Sequence, residues 1–295
     1  MDALRRLSAN VVDVVGTDGA YYRALTGPDG IEMVSVRAVE AGIELRATGP
    51  NGDGWATTVE RILGTRTNLK PWYERSRHIA WLAPIAAILR GLKPPRYPTL
   101  WEACAHAIVF QQISIHAAAA IMRRAVERLG ESVSVGEVRC VAFPGPQRWL
   151  AAREPDLRAV GISANKIAHL RAAAEAFGRG EVQESALELL PTPLAAQRLQ
   201  CIRGIGAWSA AVILLRGLGR LDTFPLRDSG VARSLRELTG GAQIDVPELL
   251  ERLGPVRGML YYHLLLARMR HLTALNDDSV RGGAPHERRK GCEDR

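Results

Sequence analysis

The chain has 295 residues, 47% of them apolar, and 39 lysines and arginines against 31 aspartates and glutamates, a formal net charge of +8. The apolar share is ample for a buried core, the length suits about two domains, and the basic excess points to an anionic partner, nucleic acid ahead of membrane. Cys104, Cys140, Cys201 and Cys292 show no C-x-x-C spacing, which excludes a thiolate zinc site or an iron–sulfur cluster, and apolar runs such as Ala210–Leu215 are too short to span a bilayer.

The first residues, MDALRRLSANVVDVV, lack a long apolar segment and a small-residue cleavage site, so the sequence reads as soluble, reducing and cytoplasmic. Cys104 and Cys201 lie in apolar helical stretches and read as small core residues. Ile31–Val39 and Gly42–Thr48 alternate apolar and polar residues about Glu40-Ala41, a hairpin signal, and Trp55–Ile62 reads as a third strand after a glycine-rich turn. Residues 1–70 are therefore expected to form a small α/β domain with an antiparallel sheet.

From Trp72 the period changes to 3.6. Trp81–Arg90 is a helix stopped by Gly91, and Lys93–Pro98 is a stiff linker. Thr99 and Glu102 form a capping box for a helix to about Phe110. Ser114 caps a helix to Leu129, ended by Gly130, and 163–178 is amphipathic. Helices follow at about 193–200, 207–217, 229–239, 246–253 and 255–272. The expected fold class is mainly α: a helical domain over 71–275 after the small sheet domain, with a polar, disordered tail at 276–295.

The most informative stretch is Leu199–Ala210, LQCIRGIGAWSA. Two helices flank a turn carrying Gly204-Ile205-Gly206, a helix–hairpin–helix within 193–217. Both glycines can adopt φ > 0 and let a phosphate backbone come close, Ile205 can pack back between the helices, and the second helix turns its free N–H groups outward. Arg203, Gly204, Ile205, Gly206, Ala207 and Ser209 are the candidate backbone-binding residues. Gly-x-Gly alone is as easily an ordinary helix joint; the longer pattern L-x-x-I-x-G-I-G-x-W-S-A carries the reading.

Asp228 follows in LDTFPLRDSGVAR, beyond Pro225 and at the start of the next helix. The helix dipole there favours an ionised carboxylate, which can stabilise an oxocarbenium-like sugar and orient or deprotonate a water. Taken by itself, an Asp before a helix is most often a simple N-cap.

With these two elements in place, the chain resembles bacterial 3-methyladenine DNA glycosylase II, the AlkA type, of the helix–hairpin–helix/Gly-Pro-Asp repair superfamily. The likeness covers about residues 70–272 and includes Ala107–Ser114 (AIVFQQIS), Gly161–Lys166 (GISANK) and Gly254–Gly258 (GPVRG). It implies a monomeric enzyme that acts on double-stranded DNA containing damaged bases, flips out an alkylated base and hydrolyses its N-glycosidic bond, with no cofactor or metal. Asp228 falls at the catalytic aspartate. Trp208 stands where bifunctional relatives carry a nucleophilic lysine, so water is the expected nucleophile. Gln112 falls at the wedge that fills the gap left by the flipped base, with Gln111 beside it. The base pocket would be lined by Trp208, Val212 and Leu265; the last two replace aromatics, which leaves the base open. Oxidised or deaminated bases on the same scaffold, and a catalytically silent DNA-binding protein, are the alternatives. Arg203, Arg227, Arg233 and Lys166 are candidate phosphate contacts.

Overall fold

The computed structural model describes residues 10–40 and 42–267. The expected polar tail and the end of the last helix lie outside the described residues.

An antiparallel sheet opens the chain: β1 Asp13–Val15, β2 Tyr21–Gly27, β3 Gly30–Val39 and β4 Gly42–Ala47, in the order β1-β2-β3-β4. The expected hairpin is β3–β4, with Val34 opposite Ala47 and Val39 opposite Gly42. A tighter hairpin precedes it, in which Gly27 pairs with Gly30 across Pro28-Asp29. The predicted third strand, Trp55–Ile62, is instead a 3₁₀ turn (Gly52–Trp55) followed by the helix Ala56–Leu63. Trp55, Val59 and Ile62 recur at intervals of four and three, a helical period, and bury one stripe against Tyr21, Leu25, Val34 and Val36. The Trp55 indole N–H donates to Glu32 Oε2 at 2.8 Å, which fixes the helix under the sheet.

Among the described residues, the remainder is helices and loops except for one hairpin, β5 Ser132–Val135 with β6 Val138–Val141, in a stretch expected to be all-α. Cys140 and Ala142 pack on Ala24 and Met33, so this hairpin seats the sheet on the helices. Arg23 crosses the same junction. Its buried guanidinium pairs with Asp13 and with Glu102. Thr99 Oγ1 does accept the Glu102 N–H at 3.1 Å, but the Glu102 carboxylate turns to Arg23, so only half of the capping box forms.

The helix Leu100–Val109 runs through the larger core, buried on nearly every side. Ile115–Leu129, Ala164–Gly178, Thr192–Gln200 and Ala207–Ile213 surround it, and Ser114 and Ser163 cap the first two through their hydroxyls. A second core gathers Trp72, Leu82, Leu215, Leu235, Leu253 and Tyr262 from Lys70–Ser76, Leu82–Ile88, Ser229–Leu238, Val246–Leu253 and the helical residues 258–267. The two cores meet along one chain path, because Ala207–Ile213 continues into a π-helical turn, Leu214–Leu218, that feeds both. Cys104 is buried as expected, whereas Cys201 is exposed: it ends its helix on the outer side, with Sγ 3.5 Å from Gln197 O. Among the described residues no helix is long and apolar enough to cross a membrane.

Candidate nucleic-acid interface and active site

The hairpin is built on two unlike glycines. Gly204 has φ +89°, and a Cβ there would lie 2.2 Å from the His169 ring, so the position needs glycine for conformation and for space. Gly206 departs from expectation: its φ is −89°, an ordinary value, and it is the N-cap of Ala207–Ile213. A Cβ on Gly206 would meet nothing within 4 Å, so its smallness leaves open surface in front of the helix start. Ile205 is 4% exposed and packs into the larger core, as expected. Arg203, Gly206 and Ala207 face solvent. Ser209 does not present its side chain there. It is buried, and its Oγ accepts from Gln111 Nε2 at 2.8 Å, because the helix turns it toward Leu100–Val109.

Gln111 ties a second loop to the hairpin. The same Nε2 also donates to Gly204 O at 2.8 Å. Gln112, next in the chain, is exposed and held at φ +57°, one of two non-glycine residues with positive φ among those described. Such a conformation costs of order 1–3 kcal/mol and persists where the surroundings impose it. Lys166 supplies that constraint. Its Nζ donates to Val109 O (2.7 Å) and Gln111 O (2.8 Å), the open carbonyls at the end of Leu100–Val109, and burial lowers its pKa. Lys166 is therefore occupied as a clamp rather than free for phosphate. Sequence reasoning had the residue but not the role; a lysine following a serine cap signals nothing about the turn 55 residues away.

Asp228 caps Ser229–Leu238 and does more. Oδ1 accepts from the Gly230 and Val231 N–H groups at 2.8 and 3.0 Å, and Oδ2 accepts from Trp208 Nε1 at 2.9 Å. One oxygen thus caps the helix and the other is held by Trp208. All three partners are N–H donors, and Asp228 keeps partial exposure. The preceding Arg227 is the other positive-φ residue, at +61°. Arg203, Arg227 and Arg233 are exposed and make no ion pair among the described residues.

The structure thus ties Gln111 to Gly204 and Ser209, and separately ties Trp208, the neighbour of Ser209 in the chain, to Asp228. Val212 sits one turn beyond Trp208 but is 6% exposed and belongs to the larger core. Leu265 lines a cleft between the sheet and the helices, shared with Tyr97, His106, Phe110, Ile115 and Arg216; Trp208, Val212 and Asp228 are outside its lining. Phe110 and Ile115, on either side of the Gln111–Ser114 turn, line this cleft, whereas Gln111 and Gln112 do not.

Residues 105–255, slightly more than half of the chain, match the model of the HhH-GPD superfamily of base excision DNA repair proteins. A Bacillus subtilis DNA-3-methyladenine glycosylase is 28% identical over 171 residues, 58% of this chain and 56% of that protein. DNA-3-methyladenine glycosylase 2 of Escherichia coli is 28% identical over 185 residues, 62% of this chain and 63% of that one. The chain thus spans under two thirds of the length of these relatives. The solved 3-methyladenine DNA glycosylase from Archaeoglobus fulgidus shares the fold with a TM-score of 0.76 over 90% of this chain and 93% of that one, at 23% identity. That coverage takes in the N-terminal sheet as well as the helices.

Proposed function

Since the chain belongs to the HhH-GPD superfamily of base excision DNA repair proteins, we propose that it is a monofunctional DNA glycosylase that hydrolyses the N-glycosidic bond of alkylated bases, with Asp228 as its catalytic carboxylate. The observation that carries this reading is the Asp228 side chain, held by three N–H donors beside the Gly204–Gly206 hairpin and still partly exposed. The names of its relatives support the alkylated substrate.

In this reading the start of Ala207–Ile213, with Gly206 and Ala207 exposed, grips a phosphate of the duplex through backbone N–H groups. Arg203, Arg227 and Arg233 add sequence-independent attraction. Gln112, projected by its left-handed backbone and braced by Lys166, fills the gap as a nucleotide turns out of the stack. Asp228 then faces the sugar. Its fixed orientation places negative charge where the oxocarbenium-like sugar gains positive charge, and it takes a proton from the attacking water, help worth roughly 10²–10⁴-fold. Trp208 offers no amine for a Schiff base, so the product is an intact abasic strand. The boundaries at about 70 and 275, a monomer acting in the cytoplasm, and independence from cofactors belong to the same proposal.

Incubating the protein with methylated duplex DNA and separating the released bases tests the reading. It predicts free methylated base and an unbroken abasic strand. Strand scission at the lesion without added base would sink the monofunctional claim, and tight DNA binding with no base released would favour the silent DNA-binding alternative.

A further inference from the structure

Gln111 is held through its side chain and through both of its main-chain polar groups. Its Nε2 donates to Gly204 O and to Ser209 Oγ, both at 2.8 Å, across 93 and 98 residues of chain. Gly204 O can only accept, so the amide has one orientation, and both of its hydrogens are spent. The main-chain oxygen of Gln111 accepts from Lys166 Nζ at 2.8 Å, and its N–H donates to Ile108 O at 3.3 Å. Gly204 precedes the N-cap Gly206, and Ser209 lies in the first turn of Ala207–Ile213. One amide therefore spans the start of that helix from both sides.

The helix Ala164–Gly178 backs both loops. Lys166 and His169 are three residues apart and so lie on one face of it. Lys166 reaches the turn through Val109 O and Gln111 O, while the His169 ring packs on Gly204 and leaves no room for a Cβ. Gly204 is thus pinned between that ring and the Gln111 amide. The residue after Gln111 is Gln112, exposed and left-handed at φ +57°. A shift of the Gly204 carbonyl is passed to Gln111, and along the chain to the backbone that projects Gln112.

We propose that Gln111 is a positioning residue that couples the hairpin's grip on a phosphate to the projection of Gln112 into the duplex, so that gripping and opening act as one rigid unit. The proposal rests on the glycosylase reading and adds a part to its machinery. Without the amide, Gly206 and Ala207 still offer their N–H groups and Gln112 still stands out of its turn, but the register between them is lost. A wedge has to arrive at the base step set by the gripped phosphate, so loose register costs rate rather than affinity. Sites joined by one hydrogen-bond network show coupled effects on substitution, whereas unconnected sites act independently.

The test is a double-mutant cycle on the second-order rate of excision from a duplex carrying one 7-methylguanine. Gly206→Ala loosens the grip and Gln112→Ala removes the wedge. In the wild-type background the pair together should slow excision about fivefold less than the product of the two single effects. In a Gln111→Met background, which keeps the length and removes the donors, the two effects should simply multiply. Gln111→Met alone should slow excision about tenfold and leave affinity for undamaged duplex within about threefold of wild type. Multiplying effects in the wild-type background overturn the proposal with no substitution at Gln111, so it stays testable if Gln111→Met does not fold. Coupling that persists in the Gln111→Met background, or equal losses of excision and duplex affinity in that variant, also overturns it, by leaving Gln111 a structural part of the hairpin alone. In each of these results base release stands, and with it the glycosylase reading; release of no 7-methylguanine by the wild type overturns both.

Discussion

At the level of single residues, the two hairpin glycines separate folding from binding. Gly204 combines φ +89° with the His169 ring at 2.2 Å from any Cβ, so Gly204→Ala should cost about 2–3 kcal/mol in urea unfolding. Gly206→Ala meets no neighbour at φ −89°, so its stability should stay within about 0.5 kcal/mol of wild type. The methyl group would nevertheless stand where the phosphate approaches, and duplex affinity measured by fluorescence anisotropy should drop. Equal effects of the two substitutions on stability would contradict the assignment. The Gly-Ile-Gly tripeptide was legible in the sequence; which glycine is strained was not, because that depends on His169, 35 residues earlier and brought in by the helix Ala164–Gly178.

At the level of elements, helices with strong caps and clean periods were readable. Ser114 and Ser163 cap the helices expected of them. Reading failed where a period was short or a polar residue interrupted it. Trp55–Ile62 looked β-like from its valine, isoleucine and threonines, yet the sheet above it recruits the i, i+4, i+7 stripe of a helix. β2 escaped because Arg23 breaks its apolar face, and only the Asp13 and Glu102 carboxylates make that arginine suitable for burial. The Gln111–Ser114 turn was located, but its clamp was not. Lys166→Met removes both donors to Val109 O and Gln111 O. It should cost about 1–2 kcal/mol in stability and slow single-turnover base excision while leaving affinity for undamaged duplex near wild type. An equal loss of both functions would place Lys166 on the phosphates instead.

At the scale of the whole molecule, two histidines, His263 buried and His106 partly so, set a pH limit. His106 and His263 are pushed by burial down to about 3 and about 4. The Trp72 indole N–H donates to His263 Nε2 at 3.1 Å, while Nδ1 faces Met259 O at 2.9 Å, a pattern that only the neutral ring satisfies. Both pKa values are depressed below about 6.5, so the unfolded chain takes up protons that the folded chain refuses. Stability is full above pH 6.5 and falls as pH drops toward 4, by up to about 1.4 kcal/mol per pH unit for each histidine. Glu102, which burial raises against the pull of Arg23, titrates in the opposite sense and blunts the slope. Urea unfolding at pH 7 and pH 5 checks this, and an unchanged midpoint would refute it. The two-part architecture was visible in the change of period near Trp72. The docking of its sheet, through β5–β6 and Arg23, depends on contacts between residues far apart in the chain.

In the proposed function the chemistry comes down to the carboxylate beside the hairpin. Asp228→Asn keeps an oxygen for the Gly230 and Val231 N–H groups and removes the charge. The decisive measurement is the single-turnover rate of base release from a duplex carrying one alkylated base, for wild type and Asp228→Asn, with duplex affinity measured in parallel. The account predicts a fall of at least about 10²-fold in rate with affinity within a few-fold of wild type; an Asp228→Asn protein that releases base at the wild-type rate would contradict it.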